Sequence, residues 1–197
     1  MASWSEFAAA EPGLAERVRG RLEAGVHKTL ATVRRDGAPR ISGTEAWIAA
    51  GELWFGSMWR SARALDLRRD PRFAIHSASA DPPQWPGDAS LSGRAVEADV
   101  GDAALVARVM EGRVYVPSGP WHLHRADLTE VLLVALDEPR EHLEIDVWRP
   151  GEPVRRSAGG PGQGPEARLA ARERRPTALS ASGEDLPRRG GPRRPRR

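Results

Sequence analysis

The chain has 197 residues, enough for one ordinary domain and a tail. It contains no cysteine, which excludes a disulfide framework and a thiolate metal site. Its formal charge of +3 is unevenly placed: from Ala158 onward ten arginines face four acids, so that end carries +6 and residues 1–157 carry −3. A slightly acidic body argues against a nucleic-acid-binding domain and leaves the tail a weak, salt-sensitive, sequence-blind attraction to phosphate backbones.

Met1 to Glu6 has neither a basic start nor an apolar run, so no secretory signal is expected. The longest aliphatic run, Val131 to Leu136, is too short to span a membrane, and a cytoplasmic protein is expected. Residues 1–25 read as an N-terminal helical segment. Leu14, Val18 and Leu22 recur every four residues between Pro12, which suits a first turn, and Gly25, which suits a helix end, so a helix is predicted from Pro12 to Ala24. Strands follow at close spacing. Lys28 to Arg35 and Pro39 to Ile48 read as a hairpin closed by a two-residue Asp36-Gly37 turn, and Ala50-Gly51 turns into Leu53 to Ser57. A short helix over 61–69 precedes Phe73 to Ser77, a Pro-rich loop at 81–87 and Ala89 to Glu97. Asp102 opens a helix that Gly112 closes, and the last strands are Leu123 to Ala126, Thr129 to Leu136 and His142 to Arg149. Short strands joined by tight turns, with helices as decoration, predict a mainly β fold with minor α: a barrel of six to seven antiparallel strands with peripheral helices. Residues 158–197 hold seven glycines and six prolines among forty, and a disordered Arg/Pro/Gly-rich tail is expected there.

The most informative stretch runs from Phe55 to Arg72. It reads as a strand, a turn and a helix, with Ser57, Ser61, Arg60 and Arg63 crowded where the helix begins. A helix start offers unpaired N–H groups and the positive end of the peptide dipoles, hydroxyls donate to a phosphate, and arginines neutralise it with forked hydrogen bonds. The same residues also read as a surface helix capped by Ser61 with its arginines in water. In the second strand, alternation places Arg40, Ser42 and Thr44 on one face and Ile41, Gly43, Glu45 and Trp47 on the other. A polar inward triplet of this kind suits a face that meets water or a polar ligand, and solvated edge residues are its plainer reading. His122 and His124 share a strand face at a spacing compatible with a metal, but no third ligand is identifiable and no metal is expected. The tryptophans read as core or dimer contacts, with Trp59 and Trp148 able to stack on a ring, and Asp127 and Glu130 read as structural.

Four runs in order, Leu30 to Ser42, Leu53 to Ser57, Ser61 to Arg63 and Leu67 to Arg72, resemble the pyridoxamine 5′-phosphate oxidase-like superfamily of flavin-binding split β-barrels over about residues 25–150. Arg125 to Glu130 and Trp148-Arg149-Pro150-Gly151 look like the closing strands of its actinobacterial branch. The resemblance implies a split-barrel domain over 26–157 and a homodimer with FMN or the deazaflavin F420 at the subunit interface. It implies that Arg40, Ile41, Ser42 and Gly43 flank the ring and ribityl chain, and that Ser57, Met58, Ser61 and Arg63 meet the phosphate, with Arg63 where the family commonly has lysine. Arg60, Arg68 and Arg69 are the candidates for attracting the acidic extension of F420. The Arg-rich cofactor motif and the C-terminal substrate segment of true pyridoxamine phosphate oxidases are absent, so vitamin B6 oxidation is not expected. What remains is an FMN- or F420-dependent oxidoreductase acting on a small organic molecule. The alternatives are a non-catalytic flavin, F420 or haem carrier of the same fold and a nucleic-acid-associated protein acting through the tail.

Overall fold

Eight antiparallel strands carry the fold in the computed structural model, which describes residues 1–113, 115–137 and 142–159. They are β1 (His27–Val33), β2 (Pro39–Ala49), β3 (Glu52–Met58), β4 (Arg72–His76), β5 (Asp88–Ala98), β6 (Trp121–Leu136), β7 (Leu143–Trp148) and β8 (Arg155–Gly159). The sheet order is β3-β2-β1-β4-β5-β6-β7-β8, and a further β3–β6 pairing closes the first six into a barrel. The helices are α1 (Trp4–Ala10), α2 (Pro12–Glu23), α3 (Ala62–Arg69) and α4 (Ala103–Val109). None of the described helices is long and apolar enough to cross a membrane. The disordered-tail expectation lies outside the described residues from residue 160 on, while β8 runs to Gly159.

The barrel closes because one long strand serves two neighbours on the same side. β6 spans 16 residues; its start pairs with β3, its end with β7, and β5 runs along its other edge. The sequence reading splits this strand in two, and the break it leaves at Asp127 and Leu128 falls beside a bulge. There Ser92 pairs with Glu130 and Gly93 with Leu128, which leaves Thr129 unmatched. The extra residue switches which side chains face inward, from His122, His124, Ala126 and Leu128 before it to Val131, Leu133 and Ala135 after it. An apolar pattern that changes phase reads as two strands. Gly93 permits the crossing, since a Cβ there would lie 2.1 Å from the Asp127 carbonyl oxygen.

Two further elements differ from expectation for local reasons. The first hairpin closes with Arg34 N–H on the Ala38 carbonyl at 2.8 Å, a three-residue loop with Gly37 at φ +85° instead of a two-residue turn. α1 has no apolar period to announce it. Its Ser3 and Glu6 form a reciprocal capping box, and Trp4 and Phe7 are buried, the latter 4.7 Å from the Trp148 ring in the main core. Trp148 is thus a core residue, away from any ligand face.

Candidate functional site

The barrel splits where β2 and β3 part. Their ladder covers Ala46–Ala49 against Glu52–Phe55 and stops there. At the next step the Gly56 carbonyl accepts from Thr44 Oγ1 at 3.3 Å and Arg63 Nη2 at 2.9 Å in place of a β2 ladder partner. Arg63 also donates from Nε to Ser57 Oγ at 3.0 Å and from Nη1 to the Gly43 carbonyl. Its guanidinium therefore bridges the two strands at the fork, and burial pulls its pKa below the ordinary arginine value. An antiparallel strand sends the N–H and C=O of one residue to the same side, and alternate residues share that side. The Gly43 carbonyl that Arg63 reaches thus marks Ile41 and Gly43 as the residues whose backbone groups face the edge β3 has left.

Along that edge lies a hollow of about 440 Å³, within the usual size of small-molecule sites. Seven of the eight residues expected at a cofactor line it: Arg40, Ile41, Ser42, Gly43, Met58, Ser61 and Arg63. Ser57 does not line it; it is 4% exposed and accepts from Arg63 beneath the fork. Ser61 is the N-cap residue of α3 in extended conformation, yet its side chain makes no capping bond. Its Oγ and that of Ser42 are buried without a protein partner. Buried hydroxyls are normally satisfied, so two orphaned ones in a hollow at a helix start are the chemistry of an anion cradle. A phosphate-bearing group fits these residues: Ser61 and the α3 N–H groups for its charge, the Ile41 and Gly43 backbone for a flat ring.

The inward polar face of β2 is met by a carboxylate. Asp66, on α3, is 4% exposed and takes Arg40 Nε at 2.6 Å, Arg69 Nη2 at 3.0 Å and Thr32 Oγ1 at 3.3 Å. Burial alone would push the Asp66 carboxyl up, but these donors together hold it below the usual carboxylate range. Asp66 escapes sequence reading because an acid among arginines on a short helix looks like a surface i,i+3 pair. A second hollow of about 390 Å³ adjoins the first, sharing Arg34 and Arg40 as wall and adding Arg35, Asp36 and Asp66. Of the arginines expected to attract an acidic extension, Arg69 is held by Asp66, and Arg68 is forked onto Glu97 at 2.8 and 2.8 Å.

His122 and His124 do share a face, and it is the barrel interior; each is 1% exposed, with ring centroids 6.2 Å apart. Among the described residues no group of three acids, histidines or cysteines could hold a metal. His122 is bound to Glu97 at 2.6 Å and covered by Trp59, 4.8 Å away and nearly parallel. His124 stacks on Phe55 at 5.2 Å, and burial holds its pKa down to about 4. Asp127 and Glu130 pair with Arg125 and Arg149 as structural ion pairs.

No family model matches the chain, and no curated protein matches it in sequence. Solved structures do match its fold. A pyridoxamine 5′-phosphate oxidase-related, FMN binding protein from Nostoc punctiforme superposes with a TM-score of 0.51 at 15% identity, covering 75% of this chain and 95% of that one. PhzG from Burkholderia lata, in complex with tetrahydrophenazine-1-carboxylic acid, gives 0.50 at 16% identity over 80% of this chain and 89% of its own. A heme binding protein from Mycobacterium smegmatis gives 0.51 at 18% identity, over 76% of this chain and 59% of that one. The chain therefore has the split-barrel fold of pyridoxamine 5′-phosphate oxidase-like proteins.

Proposed function

We propose that the chain is an FMN- or F420-dependent oxidoreductase that reduces a small unsaturated or carbonyl-containing organic molecule. The observation that carries this reading is the convergence, in one hollow, of the orphaned Ser61 and Ser42 hydroxyls, the start of α3 and the free edge of β2. When bound, a reduced flavin or deazaflavin supplies the hydride from its own ring. The residues of the chain hold it: Ser61 and Arg34 at the anionic end, the Ile41 and Gly43 backbone along the ring, and Arg63 keeping the fork open between them. Among the described residues no histidine lines the hollow, which favours a flavin-type ligand over a haem held by an imidazole. The adjoining hollow with Arg35 suits a ligand with a second anionic arm, which favours F420.

Titrating the chain with FMN and with F420, followed by absorbance, tests the site. Ser61→Ala should weaken both ligands by roughly tenfold to a hundredfold, the loss of one charge-assisted contact worth about 1.5–3 kcal/mol. It should leave the melting temperature unchanged, because Ser61 Oγ has no partner in the protein. Arg35→Ala should weaken F420 alone. Wild-type affinity in Ser61→Ala would remove the hollow as the site. Bound cofactor that no acceptor can reoxidise would leave the carrier reading in place of the enzyme.

The same reading includes a homodimer that covers the hollow. Ile41 and Met58 line it and are 72% and 76% exposed, and Trp59 beside them is 50% exposed. Large apolar side chains exposed together mark an interaction surface. Ile41→Asp should convert a dimer to a monomer in sedimentation velocity and lower cofactor affinity with it. A wild-type chain that sediments as a monomer at all concentrations would refute the interface.

A further inference from the structure

We propose that His122, buried and not among the residues that line the ligand hollow, is the positioning residue that sets the Ser61 turn. It does so only as the neutral imidazole, so that ligand binding is lost when His122 takes up a proton. The proposal rests on reading the Ser61 hollow as the anion site.

The turn from Met58 to Ser61 links β3 to α3, with Ser61 N–H donating to the Met58 carbonyl at 3.1 Å. Arg60 sits in it at φ +53°, a left-handed conformation that a long side chain adopts only when its surroundings impose it. What imposes it is visible. The Arg60 N–H donates to His122 Nε2 at 3.1 Å, across to the start of β6. The residue so fixed is the one directly before Ser61.

The imidazole can accept that bond in one protonation state alone. Its other nitrogen, Nδ1, lies 2.6 Å from Glu97 Oε1. The forked bond from Arg68, with the His122 contact helping against burial, holds the Glu97 carboxyl down to about 2, so it is ionised and can only accept. Nδ1 therefore carries the hydrogen and Nε2 the lone pair. A proton on Nε2 would set two N–H groups against each other and release Arg60. The groups that face this ring are Glu97 from β5, Arg68 from α3 and His124 from β6, with Arg63 of α3 acting on His124. The Trp59 indole covers the imidazole, and the Arg68 guanidinium lies 5.9 Å from that indole ring. Linkage makes the effect reciprocal: a ligand that needs the set turn disfavours the protonated ring by the factor it loses to acid.

Three forms of the full-length chain test this, each titrated with FMN and F420 across the pH range of the His122 titration. That titration is read from the imidazole ¹⁵N resonances. His122→Gln retains an oxygen to accept from Arg60 and an N–H₂ to donate to Glu97 but cannot titrate. It should bind like wild type at neutral pH and show none of the acid-side loss. His122→Leu lacks the acceptor and should bind about tenfold more weakly at neutral pH. The ligand-free wild-type chain should show His122 as the Nδ1–H tautomer, with the Arg60 amide resonance moving as the ring titrates. Acid-side loss that persists in His122→Gln, the opposite tautomer, or an Arg60 amide indifferent to the titration would each overturn the proposal. If neither ligand binds wild type, the cofactor reading and this proposal both fall; if wild type binds but His122→Gln keeps the acid loss, only this proposal does.

Discussion

Asp66→Asn should lower stability by about 3 kcal/mol, the lower end of the roughly 3–5 kcal/mol lost when one partner is stripped from a buried ion pair. The lower end applies because the side chains of Arg40 and Arg69 are 25% and 37% exposed, so water takes up part of what the carboxylate releases. For a chain of this size that is a fall in melting temperature of roughly 6–12 °C. The amide also leaves Arg69 without its i,i+3 partner and Arg40 without the charge that holds β2 against α3, and Arg40 walls both hollows. Adding Arg40→Met should restore part of the loss, since the group that needed the carboxylate is then gone. A melting temperature unchanged by Asp66→Asn would mean that the helix docks through Leu67 and Ala64 packing alone.

Asp66 also shows where sequence reading stops. The strands were legible because alternation is a local signal: Arg40, Ser42 and Thr44 do turn inward, and Ile41, Gly43 and Glu45 do turn outward. The Pro12 helix and the Ala50-Gly51 turn, with both residues at positive φ, were legible for the same reason. The crowding of serines and arginines at the α3 start was legible as chemistry. What those groups bind was not, because their partners come from distant strands. Arg63 answers to Gly43 and Gly56 across the fork, and Asp66 to Thr32 and Arg40 on two strands. Glu97 and His122 meet only because the barrel brings β5 beside β6. Ser57 and Ser61 look alike in the sequence. Strand phase turns Ser57 under Arg63, while the turn lifts Ser61 to the hollow. Ser3 and Glu6 have the spacing of a capping box, but no apolar period follows them to mark α1 as a helix of its own.

His124 should make the fold acid-sensitive in a defined window. The ring is 1% exposed, lies against Phe55, and has a buried Nδ1 with no partner. Burial, more than the neighbouring positive charge of Arg63 or the nearby His122, holds its pKa down to about 4, against the opposing pull of Glu97. An unfolded histidine titrates near 6.5. Between these values the unfolded chain binds a proton that the folded chain does not, so stability rises with pH across the window and is lost as pH falls from about 6.5 to 4. At about 1.4 kcal/mol per unit, urea unfolding should show wild type losing roughly 2–3 kcal/mol between pH 7 and pH 4.5 through this group. The depressed carboxyl of Glu97 acts in a separate range, its contribution lost only as pH falls below the ordinary 4.5 toward about 2. His124→Phe keeps the stack on Phe55, removes the orphaned nitrogen and cannot titrate. It should be at least as stable as wild type at pH 7 and shed most of this acid loss. A His124→Phe chain with undiminished sensitivity between pH 7 and pH 4.5 would assign the acid response to groups other than His124.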